Sequence, residues 1–265
     1  MDLNLKDKVI IVTGGSKGIG LAISQVLSKE GAIPYIIGRN KPNIIGVAKE
    51  IEKTGGQVGF AFAELTDPEQ CKAAVEQVIS RFGRIDGLVN NAGVNDGVGL
   101  ENGNYKDFMA SLHKSLVHYY LMAQYALPEL KKNKGSIVNI GSKTSFTGQG
   151  GTSGYAASNG GRNALTREWA AELLPYEIRV NAVIVAECYT PLYERWIETF
   201  PEPEKKLKNI TDKIPLGNRM TTAAEIANTV VFLLSEVSSH TTGQLVFVDG
   251  GYTHLDRAIT AEETI

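Results

Sequence analysis

The sequence predicts an α/β fold of a single domain, a parallel seven-stranded sheet doubly wound with helices on both faces. Two observations carry that prediction. Strand-sized apolar runs alternate seven times with segments of helical periodicity, and no repeat, low-complexity tract or long linker interrupts them. Length and composition agree, since 265 residues can bury a large core, and 43% hydrophobic with 21% charged residues is ordinary for a globular domain.

Composition also narrows the function classes. The net charge is -2 and no basic run stands out, so nothing points to nucleic acid. The apolar runs are strand-sized, which predicts no membrane span, and residues 1–8 lack the apolar centre of a signal peptide, which predicts a cytoplasmic protein. Cys71 and Cys188 stand apart, with no second Cys or His at ligand spacing, and read as reduced thiols without a metal.

The first unit is the most explicit. Val9 to Val12 are four apolar β-formers, Thr13-Gly-Gly-Ser-Lys-Gly-Ile-Gly20 is a glycine-rich turn, and Leu21 to Glu30 carry helical periodicity. Gly14, Gly18 and Gly20 let backbone approach a pyrophosphate, whose charge is favoured by free N–H groups at a helix N-terminus. Ser16, Lys17 and Ile19 complete that loop. Such a unit makes the sheet Rossmann-type. The next strand, Ile33 to Gly38, ends in Arg39-Asn40, where a dinucleotide-binding unit meets the adenosine ribose. An acidic residue there serves NAD, whereas Arg39 together with Lys17 suits the 2′-phosphate of NADP. NADP is therefore the predicted cofactor, with NAD the alternative.

Helix 41–54 and strand 58–63 complete the third unit, which ends in Glu64-Leu65-Thr66-Asp67. Glu64, beside Leu65, reads either as a neighbour of the adenine or as the approach to a helix at Asp67-Pro68. Helix 68–82 leads to a short strand ending in Asn90-Asn-Ala-Gly93. Asn90 and Asn91 read as cofactor ligands or as ties between strands, and Ala92 and Gly93 leave room beside them. A long helical stretch, 105–132, is apolar on more than one face, as expected if one side packs on the sheet and another meets a second subunit. His113 and His118 on it have no evident partner and read as solvated or capped.

The strand at 135–140 opens into a polar loop that begins at Ser142 and feeds a helix starting near residue 152 or 153. On that helix Tyr155 and Asn159 are four residues apart and share a face, with Ser142 across the mouth of the same cleft. A hydroxyl and a phenol facing one cleft can hold a carbonyl oxygen and move its proton. Taken alone, the pair also reads as a helix N-cap and a half-buried tyrosine. Strand 178–185 precedes an aromatic segment, about 187–215, that reads as a lid over the cleft or as a plain surface hairpin. A capping-box pattern, Thr222 to Glu225, opens a helix through Leu234, and 244–248 is the last strand.

These motifs together resemble the short-chain dehydrogenases/reductases. Thr13 to Gly20 matches that family's cofactor loop, Asn90-Asn-Ala-Gly93 its central strand motif, and Val248-Asp-Gly-Gly251 its C-terminal signature, while Ser142 precedes Tyr155 by 13 residues as in its active site. Within the family, Asn95-Asp-Gly, Ser142-Lys-Thr, Thr147-Gly-Gln-Gly, Ala186-Glu, Thr190-Pro-Leu-Tyr and Gly251 to Arg257 are similar to the bacterial L-fucose dehydrogenases. The resemblance implies a homotetramer that transfers hydride between a carbinol carbon and nicotinamide. Tyr155 is implied as acid/base, Ser142 as the holder of the substrate oxygen and Thr190 as a contact to the nicotinamide amide. For a sugar or polyol substrate, polar candidates around the cleft are Asn95, Lys143, Gln149 and Glu187, with His254 or Arg257 from the tail.

The chain departs from the family at two of its four catalytic positions. Asn159 stands where the family carries a lysine that stabilises tyrosinate and holds the nicotinamide ribose. Ser115 stands where it carries an asparagine that holds a relay water. Val185-Ala186 also replaces the common Pro-Gly, although sugar-type members share that change. Three readings follow from these departures. The chain is a working dehydrogenase in which Lys143 or Lys114 supplies the missing charge; a weakened or inactive enzyme that keeps the fold; or a nucleotide-binding sensor or structural subunit without turnover.

Overall fold

The computed structural model describes residues 2–255. Its strands are β1 (Val9–Thr13), β2 (Ile33–Gly38), β3 (Gly59–Phe62), β4 (Gly87–Asn90), β5 (Ser136–Ser142), β6 (Arg179–Val185) and β7 (Leu245–Val248). The helices between them are α1 (Gly18–Lys29), α2 (Lys41–Lys53), α3 (Pro68–Phe82), α4 (Tyr105–Leu112), α5 (His118–Asn133), α6 (Ser153–Glu172), α7 (Pro191–Ile197), α8 (Pro203–Thr211) and α9 (Ala223–Leu234). All strand pairs are parallel, in the order β3-β2-β1-β4-β5-β6-β7, so the winding reverses between β1 and β4. In an open parallel sheet a crevice forms at that reversal, outside the carboxyl ends of the strands.

Both faces of the sheet are covered, which is why the strands read as continuous apolar runs. Along β1, Val9 and Ile11 enter a core completed by α3, α5 and α6, whereas Ile10 and Val12 enter one completed by α1 and α9. A smaller cluster seats α2 through Ile44, Val47, Ala48 and Ile51. The helix starts follow local chemistry. Asn40 and Asp67 cap α2 and α3 with their side chains, each followed by a proline in the first turn, and Gly83 ends α3 in the left-handed region. Thr222 and Glu225 form the reciprocal capping box that opens α9.

Three boundaries differ from the sequence reading. Helix α1 begins at Gly18 rather than Leu21, because Lys17 is already the extended residue before it. Strand β5 continues to Ser142, which pairs in register with Val185, so the serine is the last residue of a strand and not part of a loop. The long helix is one run of backbone that widens into a π-turn at His113–Val117. There the Ser115 hydroxyl donates to the Val94 carbonyl and also accepts the Val94 N–H. Wide turns of this kind concentrate at functional sites. The tail contact considered at Arg257 lies outside the described residues.

Candidate active site

A cavity of about 810 Å³ runs along the carboxyl ends of the strands and crosses the reversal between β1 and β4. Gly14, Ser16, Lys17, Gly18, Ile19, Arg39, Glu64 and Leu65 line one end; Ala92, Ser142, Tyr155 and Thr190 line the other.

The first end is a backbone cradle. Gly14 has φ +65°, a conformation that side-chain-bearing residues avoid, and a Cβ at Gly20 would overlap the Gly14 carbonyl oxygen. Gly20 therefore stands behind the cavity, holding α1 against the turn instead of touching a ligand. The Asn91 amide donates to the Thr13 carbonyl at 2.9 Å, and the Thr13 hydroxyl accepts the N–H groups of Asn91 and Ala92 at 2.9 and 3.1 Å. These bonds stitch the glycine turn to the end of β4. No side chain caps α1, so its first N–H groups remain available to an anion. A long cleft, glycines at the turn and an uncapped helix start fit a dinucleotide.

Beyond the end of β2, Arg39 donates to Glu64 at 3.0 Å. Burial opposes the charged form of Glu64, but the bonds from Arg39 and the Thr66 N–H outweigh it and hold the carboxyl below its ordinary range. Glu64 thus pairs with Arg39 while lining the cavity, and the next helix is capped by Asp67 instead.

At the second end Ser142 is nearly buried, and its Oγ accepts the Thr144 N–H at 3.3 Å. Tyr155, in the first turn of α6, is half-buried and lines the same cavity. Thr190 caps α7 by accepting the Tyr193 N–H, and its methyl group packs toward Gly18.

Several predicted residues lie elsewhere. Asn159 does not line the cavity; it is fully buried, donates to the Tyr155 carbonyl at 2.8 Å, and accepts from Arg162 at 3.1 Å. Ser115 is buried behind the cavity, its hydroxyl bound to Val94 and its carbonyl taken by two N–H groups of Arg162. Asn90 ties β4 to β5 by donating to Asn139 at 3.1 Å, and also reaches the Tyr119 carbonyl; the neighbouring Asn91 lines the cavity. Neither lysine expected to replace the missing charge is free. Lys143 forms a buried ion pair with Glu187 and lies over the Tyr252 ring, while Lys114 pairs with Asp96 at 3.4 Å. Glu187 in turn accepts the Tyr193 hydroxyl at 2.7 Å. Asn95 and Gln149 are exposed and outside the cavity lining; the Asn95 side-chain oxygen accepts the Gly97 N–H in a local turn, and Asp96 faces the cavity instead. His254 packs on Phe247 with ring centroids 4.2 Å apart. His118 is capped and not solvated: it is buried, with its ring Nε2 bonded to the Lys114 carbonyl at 3.1 Å. Burial, and then the charge of Arg162, push its imidazole down to about 3.

Sequence reading missed Arg162. It lies seven residues after Tyr155, on the face of α6 that also carries Asn159, so helical periodicity alone would have placed it there. It lines the cavity though only 3% of it is exposed.

Fold and cavity together define a Rossmann-type scaffold whose cradle fits a dinucleotide, with Ser142 and Tyr155 lining the same cavity. A family model described as enoyl-(acyl carrier protein) reductase matches residues 14–253. The chain is 36% identical to the 3-oxoacyl-[acyl-carrier-protein] reductase FabG of Thermotoga maritima, over 94% of this chain and 99% of that one. It is 34% identical to the L-fucose dehydrogenase of Bos taurus, over 92% and 88%. The solved structure of Cj0485 dehydrogenase superposes with a TM-score of 0.93 at 46% identity, covering 98% of this chain and 99% of that one. The chain belongs to the short-chain dehydrogenase/reductase family. Its members are oxidoreductases that act on CH–OH groups of small molecules, and the family implies a nicotinamide dinucleotide cofactor. Among the described residues no helix is long and apolar enough to cross a membrane.

Proposed function

We propose that the chain is an NADP-linked dehydrogenase of a sugar or similar polyol, with an aldose of the L-fucose type oxidised at its anomeric hydroxyl to the lactone. The observation that carries this reading is that Ser142 and Tyr155 line the same cavity as the glycine cradle and Arg39. Nicotinamide, when bound, supplies the hydride acceptor. The chain supplies the rest. Ser142 holds the substrate oxygen, Tyr155 takes the hydroxyl proton as hydride leaves the carbinol carbon, and Thr190 holds the carboxamide end of the cofactor. The carbinol carbon loses two electrons and its hydroxyl proton passes through Tyr155 to water. A polyol suits the surroundings of Ser142 better than an acyl chain, because the polar side chains of Tyr193 and Asp96 line the same cavity. The likeness to an L-fucose dehydrogenase supports the same class.

Arg39 and Lys17 favour NADP. Arg39 gives Glu64 a single N–H, which leaves further donors for a 2′-phosphate. NAD is the alternative, with Glu64 accepting from the ribose hydroxyls. We take the protein as a cytoplasmic homotetramer; partly exposed Phe108, Leu112 and Leu116, with Tyr105 and Tyr120 exposed, offer an apolar helix face for subunit contact.

A second reading, cofactor binding with weakened or no turnover, draws on Asn159 and Ser115 being turned into the protein. Incubation with NADP and a panel of aldoses at alkaline pH separates the two. Reduced nicotinamide with L-fucose or a sugar of like stereochemistry is expected; tight NADP binding with no reduction by any sugar selects the second reading.

A further inference from the structure

The geometry points to Arg162 as the residue that supplies, beside Tyr155, the positive charge which the sequence withholds at position 159. This inference rests on the reading of Tyr155 as the proton-accepting group. The guanidinium carbon lies 5.9 Å from the Tyr155 ring centroid and 4.2 Å from that of Tyr119. Its bonds go to the Ser115 carbonyl from Nε and Nη2, to the Ile140 carbonyl at 3.0 Å, and to the Asn159 side-chain oxygen at 3.1 Å. All of these acceptors are neutral, and among the described residues no carboxylate pairs with the guanidinium. A guanidinium keeps its proton under all ordinary conditions. A buried cation without an anion is costly and stabilises any negative charge that forms nearby.

Two details aim it at the reaction. Four of its five N–H groups are occupied, leaving one on Nη2, and a Cβ at Gly93, on the cavity wall, would lie 2.8 Å from that nitrogen. Asn159 acts as its clamp: bound to the Tyr155 carbonyl on one side and to Arg162 on the other, it ties tyrosine and cation together. A lysine at 159 would place a second cation against this one. Arg162 is thus a positioning residue that acts through Tyr155, most strongly when a bound dinucleotide excludes water.

The other charged and titratable groups facing this end are committed. Asp96 is paired with Lys114 and accepts the Ser111 hydroxyl at 2.8 Å. Tyr193 donates to Glu187, which also holds Lys143. Burial pushes the Cys188 thiol and the Tyr119 phenol up to about 12, and His118 stays neutral above about 3. Arg195 on α7 also lines the cavity, but its side chain is exposed, where water and salt screen its charge. None of these supplies a mobile charge near neutrality.

The test compares pH–rate profiles of NADP reduction for the unaltered chain, Arg162→Gln, Arg162→Lys and the double variant Asn159→Lys/Arg162→Gln. Arg162→Gln is expected to lower kcat at least about tenfold at neutral pH, and to move the acidic limb of the profile to higher pH by about one unit or more. Arg162→Lys is expected to retain the native limb, and the double variant to recover it. A native profile in Arg162→Gln overturns the inference, as does a loss equal at every pH that neither lysine variant rescues. If Arg162→Gln does not fold, the double variant decides alone: a limb displaced despite Lys at 159 overturns the inference. If the unaltered chain reduces no NADP with any aldose, the functional reading has failed, and the charge is read from tyrosinate absorbance in the NADP complex, using Tyr155→Phe to isolate the Tyr155 signal. That signal is expected at higher pH in Arg162→Gln than in the unaltered chain, and coincident titrations overturn the inference.

Discussion

The two ends of the cavity are built from different materials. At the Gly14 end the wall is backbone: a left-handed Gly14, an uncapped start to α1, and a turn stitched by Thr13 and Asn91. At the Tyr155 end it is made of side chains that converge from β5, α6, the π-turn and the segment after β6. A backbone cradle tolerates few substitutes, because what it needs is the absence of a side chain. A side-chain constellation can move a charge from one position to another on the same helix face. The difference explains how this chain keeps a complete cradle while Asn159 stands where the family carries a lysine.

The sharpest way to separate the ends is Tyr155→Phe. Turnover should fall by about 10² to 10⁴, the usual contribution of a positioned proton acceptor, while NADP affinity measured by fluorescence stays within about twofold, since the cradle is untouched. Equal losses in both would mean that the ends are not separable. Next in size is Glu187→Ala, which strands the buried Lys143 ammonium. Removing one partner of a buried pair costs about 3 kcal/mol or more, and adding Lys143→Met should recover much of it in chemical denaturation. Simple additivity of the two losses would show that the pair is not the unit described.

His118 provides a smaller test that depends on pH. The free side chain takes up its proton near 6.5, whereas in the folded protein burial and Arg162 delay this to about 3. Between those values the unfolded chain binds more protons, so stability falls as the pH drops through that window, by at most about 1.4 kcal/mol per unit from this group. Above 6.5 the group contributes no pH dependence. His118→Gln should flatten the slope between pH about 6 and about 4 by close to one proton. An unchanged slope would remove His118 from the account. Smallest is Arg39→Ala: on an exposed side chain, the loss of NADP affinity should be about tenfold or less, with NAD affinity unchanged or improved. Parallel losses for both cofactors would contradict the 2′-phosphate assignment.

The legibility of the sequence follows the same division. The alternation of apolar runs and helical segments foretold the sheet and its covered faces, and the caps at Asp67 and Thr222 were readable because capping is a matter of three or four neighbouring residues. The cradle was readable for the same reason. Asn90 was not, because whether a strand-end amide faces the cleft or the next strand depends on Asn139, 49 residues later. Lys143 looked like a free cation beside Ser142 until Glu187 arrived from beyond the end of β6, and Arg162 drew no notice in the sequence because its partners, the Ser115 and Ile140 carbonyls, are 47 and 22 residues away. Spacing could have told which face of α6 it shared; only the packed structure shows that its neighbours there are carbonyls without a carboxylate among the described residues.

The central claim, that one cavity brings the dinucleotide and Tyr155 together, is tested most directly by a crystal structure of the chain with NADP bound. The account predicts the 2′-phosphate at Arg39, the nicotinamide between Thr190 and Tyr155, and Asn159 still holding the Arg162 guanidinium. A nicotinamide ring lying away from Tyr155, or Arg162 swung out of reach of it, would contradict the account.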